Sequence, residues 1–242
     1  MPDIALVIGV GPERGLGAAI ARRYAAGGLH LVIAGRTVER LEERAAEIQA
    51  AGGIVSIAQL DVRKEDEVEQ VFTDIDAMEG TLRAVAFNPG ANVKHPLAET
   101  EAWLFEHLWR VSCFGGFLVA RAATPRLTAN GGGSLIFSGA TGSLRGAEGH
   151  AAFAAAKAGL RMVAESTARE YGPQGVHVGH VIVDGLIDGD KIRGAFPEAA
   201  DRRGEDGMLD PDSIAEAFWQ LHVQPRDAWT FEMDLRPWAE KF

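Results

Sequence analysis

Glycines at positions 11, 15 and 17 follow closely on the apolar run Ile4 to Ile8 and open onto the small-residue run AAIARRYAAGG. That order reads as a strand, a tight turn and a helix N-terminus. Free backbone N–H groups and the positive end of a helix dipole at such a turn attract anions, and glycine lets a phosphate approach the main chain without a Cβ in the way. Gly11, Gly15, Leu16 and Gly17 are therefore candidates to cradle the pyrophosphate of a dinucleotide. The spacing is G-x-x-x-G-x-G; a G-x-G-x-x-G template started at Gly9 fails at Arg14. A tight strand-to-helix turn that binds nothing is the competing reading.

The elements that must position these residues alternate along the chain. LHLVIAG, IVSIAQLDV and LRAVAFN read as buried strands separated by the helical patterns VERLEERAAEIQAAGG and EDEVEQVFTDIDAME. A long helical stretch from about 99 to 127 leads to the strand SLIFSG, and a helix near 150 to 171 leads to VHVGHVIV. An irregular segment, about 184 to 210, precedes the helix PDSIAEAFWQLHV and a last strand around WTFEMDL. Seven strands alternating with helices imply right-handed crossovers and a parallel sheet covered on both faces. Ligands in such sheets bind beyond the carboxyl ends of the strands. The glycine turn, Arg36, Asp61, Asn88, Ser138 and Asp184 all fall at or just after strand ends.

Composition narrows the function classes. With 242 residues, 47% of them hydrophobic, the chain suits one domain over 1–242, with 188–210 as a lid over the substrate. Acidic residues outnumber basic ones by 34 to 24, a formal charge of −10, which argues against nucleic acid. No apolar run approaches the ~20 residues of a membrane span, and no leader pattern opens the chain, so a cytoplasmic location is expected. Cys113 is the one cysteine. It excludes an internal disulfide framework and a cysteine metal cluster, and within an apolar helical run it reads as a packing residue.

The glycine turn, Asp61-Val62, AFNPG (86–90), VSCFGGFLVARAATP (111–125), LIFSGATG (135–142) and FAAAKAGL (153–160) occur in one familiar order and spacing. In these motifs the chain resembles the short-chain dehydrogenases/reductases over essentially its whole length. The resemblance implies a Rossmann-type doubly wound α/β fold and a nicotinamide dinucleotide. Asp61 and the backbone of Val62 would read the adenine, and Asn88, Gly90 and Lys157 would lie along the cofactor. Arg36, where the second strand ends, would pair with a 2′-phosphate, joined by Arg14, so NADP is favoured over NAD.

The positions for chemistry depart from the family pattern. Phe153 stands one helical turn before Lys157, where the family has its tyrosine acid/base, and phenylalanine transfers no proton. Gly139 aligns with the family serine, Ser112 with its asparagine, and Val183-Asp184 and Asp188 with the residues that cradle the nicotinamide carboxamide. Lys157, Ser138, Ser112 and His150 remain as catalytic candidates, with Thr141, Ser143, Asp184 and Asp188 near the expected cleft. The expectation is an NADP-dependent oxidoreductase with a non-standard site; a non-catalytic NADP-binding protein, or an isomerase or lyase, is the alternative. The helix carrying Phe114, Phe117 and Leu118, paired with the Lys157 helix, resembles the family's dimer interface, and Trp229, Phe231, Trp238 and Phe242 could add a second contact. A homodimer or homotetramer is expected.

Overall fold

Along Asp3–Ile8 (β1) successive side chains enter two different cores, Ile4, Leu6 and Ile8 on one face and Ala5 and Val7 on the other. A strand apolar on both faces has to be covered on both, as parallel strands are. The computed structural model, which describes residues 1–240, continues this pattern through His30–Gly35 (β2), Val55–Gln59 (β3), Thr81–Phe87 (β4), Gly133–Ser138 (β5), Val176–Val183 (β6) and Glu232–Leu235 (β7). All pair in parallel in the order β3-β2-β1-β4-β5-β6-β7. The order reverses between β1 and β4, which opens a crevice beyond their carboxyl ends.

Helices Leu16–Ala26 (α1), Val38–Ala50 (α2) and Pro211–His222 (α9) cover the Ala5/Val7 face, contributing Ile20, Leu41 and Phe218. Glu65–Asp76 (α3), Gly115–Ala129 (α5) and Ala151–Tyr171 (α6) cover the other with Phe72, Leu118 and Leu160. This is the doubly wound α/β architecture that the strand and helix pattern predicts. Leu118 belongs to the core, so it offers nothing to a partner.

The long helical stretch is interrupted. Ala102–Trp109 (α4) and α5 are joined by a π-turn over Arg110–Phe114, a wider winding that inserts an extra residue and is common at functional sites. Ser112 sits in that turn, buried. The segment expected to be irregular contains two short helices, Asp190–Ala195 (α7) and Glu198–Arg203 (α8), and its ends are tied by a bridge between Ile187 and Leu209. The last strand is shorter than predicted because Trp229 leaves the ladder and stacks flat on His177, with ring centroids 4.9 Å apart. Trp229 and the partly buried Phe231 thus pack within the chain, Trp238 is exposed, and Phe242 lies outside the described residues. Among the described residues no helix is long and apolar enough to cross a membrane.

Candidate functional site

A cleft of about 1070 Å³ lies at the switch point, floored by the ends of β1, β4 and β5. Its volume is at the upper end of the ~300–1,000 Å³ usual for ligand pockets. The glycine turn forms one wall. A Cβ at Gly17 would lie 2.3 Å from the carbonyl oxygen of Gly9, so α1 packs on the strand end at a distance that only glycine allows. Gly11 has open space around it, and Gly15, the N-cap of α1, supplies no side-chain cap. The first N–H groups of α1 are therefore left for an anion.

At the adenosine end Arg36 follows β2 and lines the cleft together with Arg40 of α2; neither forms an ion pair among the described residues. Arg14 does form one. Its guanidinium lies 3.3 Å from Asp188, and its backbone N–H donates to Asp190 Oδ2 at 2.9 Å. The reason is the fold of the segment after β6, which docks Gly189 so tightly on the turn that a Cβ there would lie 2.2 Å from Arg14 O. Arg14 thus lines the same cleft as Arg36 while its guanidinium is engaged by the segment after β6. Asp61 is in place, but both its carboxylate oxygens accept from Arg63 Nε, at 2.8 and 3.0 Å. That guanidinium holds the Asp61 carboxyl at about 2. Val62 is buried against Gly115, where a Cβ would come within 2.8 Å of it.

At the centre, Lys157 is fully enclosed and donates from Nζ to the carbonyl oxygen of Ser138 at 2.7 Å. Burial lowers its pKa to about 8. Gly90 brings Lys157 and Ser112 together, since a Cβ on it would be 3.2 Å from Lys157 Nζ and 3.7 Å from Ser112 Oγ. Asn88 ties two strand ends, donating to Gly9 O at 3.3 Å and accepting the Ser138 hydroxyl at 2.8 Å. The Ser138 proton is thus committed to Asn88. Phe153 lines the cleft one turn before Lys157, with its ring 3.0 Å from where a Cβ on Gly142 would stand. His150 is the N-cap of α6. Its Nδ1 donates to Glu148 O at 2.9 Å, which makes Nε2 the acceptor in the neutral ring.

Residues 3–194 match the family model for short chain dehydrogenases. The chain belongs to the short-chain dehydrogenase family. It is 41% identical to the short-chain dehydrogenase of Rhodopseudomonas palustris, whose crystal structure superposes with a TM-score of 0.83 over 98% of this chain and 99% of that one. A metagenomic short-chain oxidoreductase solved in complex with NADP is 27% identical, with a TM-score of 0.83 over 97% of each chain. The uncharacterized oxidoreductase YuxG of Bacillus subtilis is 30% identical over 225 residues, 90% of this chain; the chain spans about a third of YuxG, 32% of its length. The cleft lies beyond the carboxyl ends of the strands at the switch point, the place where ligands bind in open sheets of this kind.

Four features of this family member escape the sequence. Arg40 shares the adenosine end with Arg36, and its position three residues into α2 was a usable signal. Thr141 and Asp184 are hydrogen-bonded across 43 residues of chain. Asp190 reaches the glycine turn, and His180 lies directly beneath Gly139. The last three depend on long-range docking that no local pattern announces.

Proposed function

We propose that the chain is an NADP(H)-dependent oxidoreductase whose proton-handling position is non-standard. The residues present fit the dinucleotide: an uncapped helix behind close-packed glycines, a cleft of sufficient size, and the cations Arg36 and Arg40 at the adenosine end. The first N–H groups of α1 would hold the pyrophosphate, Arg36 and Arg40 the 2′-phosphate, Asp61 and Val62 the adenine, and Asn88, Gly90 and Lys157 the nicotinamide half. When bound, the group supplies or accepts a hydride. The chain's own residues must then place the substrate and deal with the proton. Phe153 offers none. Lys157 Nζ, with its pKa near 8, can hold or release one close to neutral pH, and His150, whose Nδ1 donates to Glu148 O, is a second nitrogen group lining the cleft. We further propose that the segment 188–210 covers the substrate and that the working form is a homodimer or homotetramer.

The observation that carries this reading is a cleft walled by close-packed glycines and an uncapped helix N-terminus, with an apolar ring one turn before a buried lysine. Titration calorimetry with NADPH and NADH tests the cofactor. NADPH should bind more tightly, and Arg36→Asp should erase or reverse the difference, since a charge-assisted contact contributes ~1.5–3 kcal/mol, roughly ten- to a hundredfold. Equal affinities would remove the 2′-phosphate assignment. Rapid mixing with a panel of carbonyls and activated alkenes tests the reaction, with loss of nicotinamide absorbance and stoichiometric product expected. NADPH binding with no turnover would favour a non-catalytic NADP-binding protein, a reading that the hydroxyl-free positions 139 and 153 already support.

A further inference from the structure

Gly139 has no room for a side chain. A Cβ placed on it would lie 2.4 Å from both Cε1 and Nε2 of His180 and 3.0 Å from the carbonyl oxygen of Val181. His180 is fully buried and held at both ring nitrogens. Its Nδ1 is 3.0 Å from Glu232 Oε2, and Glu232 in turn accepts from Arg161 Nε at 2.6 Å and Nη2 at 3.1 Å. Its Nε2 is 3.3 Å from Ser143 Oγ.

The direction of each hydrogen bond follows from chemistry. Burial lowers the His180 pKa to about 4, so the ring is neutral near pH 7 although Glu232 faces it; Lys157 and Arg161, the other charged groups near it, lower it further. A carboxylate only accepts, which puts the single ring proton on Nδ1. Nε2 is then an acceptor and takes the Ser143 hydroxyl proton. Ser143 Oγ accepts the Ala140 N–H at 3.1 Å, and Ser143 N–H donates back to Ala140 O at 2.8 Å. The chain of bonds therefore ends by closing the turn 140–143. That turn forms part of the cleft wall, and its Thr141 hydroxyl is bonded to Asp184 Oδ1.

We infer that residues 139 and 180 share one side-chain volume beneath the cleft, and that His180 fills it and acts through Ser143 as the positioning residue of the 140–143 wall. A hydroxyl at 139 and an imidazole at 180 are alternative occupants of that volume. With His180 present, Thr141 is the hydroxyl-bearing residue of this wall that lines the cleft, its proton donated to Asp184 Oδ1. The inference is independent of which nucleotide binds and of whether hydride is transferred.

A double-variant cycle on the full chain tests it: Gly139→Ser, His180→Ala and the two together, read by thermal unfolding and by long-range proton–nitrogen NMR of the histidine rings. Each single change should lower Tm by roughly 5–10 °C, one by overlap and the other by a cavity. The double variant should lose clearly less than the sum, because the serine moves into the vacated space. The His180 signals should show the neutral Nδ1–H tautomer at pH 7. Ser143→Ala should shift the Nε2 signal, and His180→Asn should move the amide signals of Ala140–Gly142. If a single variant does not fold, Gly139→Ala with His180→Asn completes the same cycle with smaller changes. Additive losses, an Nε2–H tautomer, or wall amides indifferent to residue 180 would each overturn the inference.

Discussion

Lys157 is a cation in a place that disfavours charge, and this gives stability a pH dependence of definite sign. In the unfolded chain its amine titrates near 10.5, in the folded chain near 8. Below pH 8 both states are protonated and the folded state carries the full cost of the desolvated cation. Between 8 and 10.5 the unfolded state binds a proton that the folded state has released, so stability rises with pH; above 10.5 the cost is gone. At 1.36 kcal/mol per pH unit the rise amounts to about 3 kcal/mol. The stability of wild type minus that of Lys157→Met, measured by denaturant unfolding, should climb over that interval, and a flat difference would mean the amine is solvated. Phe153 bears on activity instead. On the proposed reading positions 139 and 153 are where hydroxyls would be restored; Gly139→Ser would collide with His180, which leaves Phe153→Tyr as the change to test. General acid/base catalysis is worth ~10²–10⁴-fold. With one hydroxyl of two restored, NADPH-dependent reduction of small aldehydes should rise by an amount at the low end of that range, with NADPH affinity unchanged. No gain at intact affinity would remove the proposal that a phenol at position 153 is what the reaction lacks.

At the scale of elements, the segment that follows β6 is latched to the glycine turn. Asp188 lies between Arg14 and Arg193, at 3.3 and 2.5 Å, and Asp190 accepts the backbone N–H of Arg14. A carboxylate on that N–H sits beside the groups proposed for pyrophosphate, so a bound anion and this segment would compete for the same stretch of backbone. Asp190→Ala should tighten NADPH binding, by up to roughly tenfold if the full charged contact is relieved. Weaker binding in calorimetry would mean that the latch is part of the bound state. The latch also marks where sequence stops being informative. Strands β1, β2, β4, β5 and β6 were legible because doubly apolar runs punctuated by glycine have few other readings, and Phe153 and Lys157 could be placed together by their four-residue spacing on a helix. Helices α7 and α8 have six residues each, far below the ~12–15 at which an isolated helix holds, so tertiary docking and not local pattern forms them. Likewise Arg14 meets its acidic partners across 174 and 176 residues, and His180 looks like one more residue of an apolar strand until Glu232, 52 residues on, is seen beside it.

At the scale of the whole molecule, a group of exposed apolar side chains gathers on α4, α5 and α6. Trp103, Phe105, Trp109, Phe117 and Met162 are exposed on α4, the start of α5 and α6, whereas scattered single apolar residues would need no explanation. They are organised: Phe114 stacks between Trp109 and Phe117 at centroid distances of 6.0 and 6.3 Å, and Arg110 and Arg121 lie over the Phe114 and Phe117 rings at 4.9 and 5.6 Å. Such a strip, stiffened on a helix and backed by the π-turn, suits a flat contact with a second copy. Across a two-fold axis each of these positions would be buried in both protomers, and burying one large apolar side chain is worth ~1.5–3 kcal/mol. Sedimentation at micromolar concentration should therefore find a dimer or tetramer. Phe117→Glu, which puts a carboxylate into that strip without touching the core, should raise the dissociation constant by roughly a hundredfold or more. Trp238→Glu, at the exposed C-terminal aromatic, should weaken only a second contact, converting a tetramer to a dimer and leaving a dimer unchanged. A wild-type monomer, or a Phe117→Glu protein that sediments like wild type, would assign the strip to some other contact and leave α4–α6 outside the assembly.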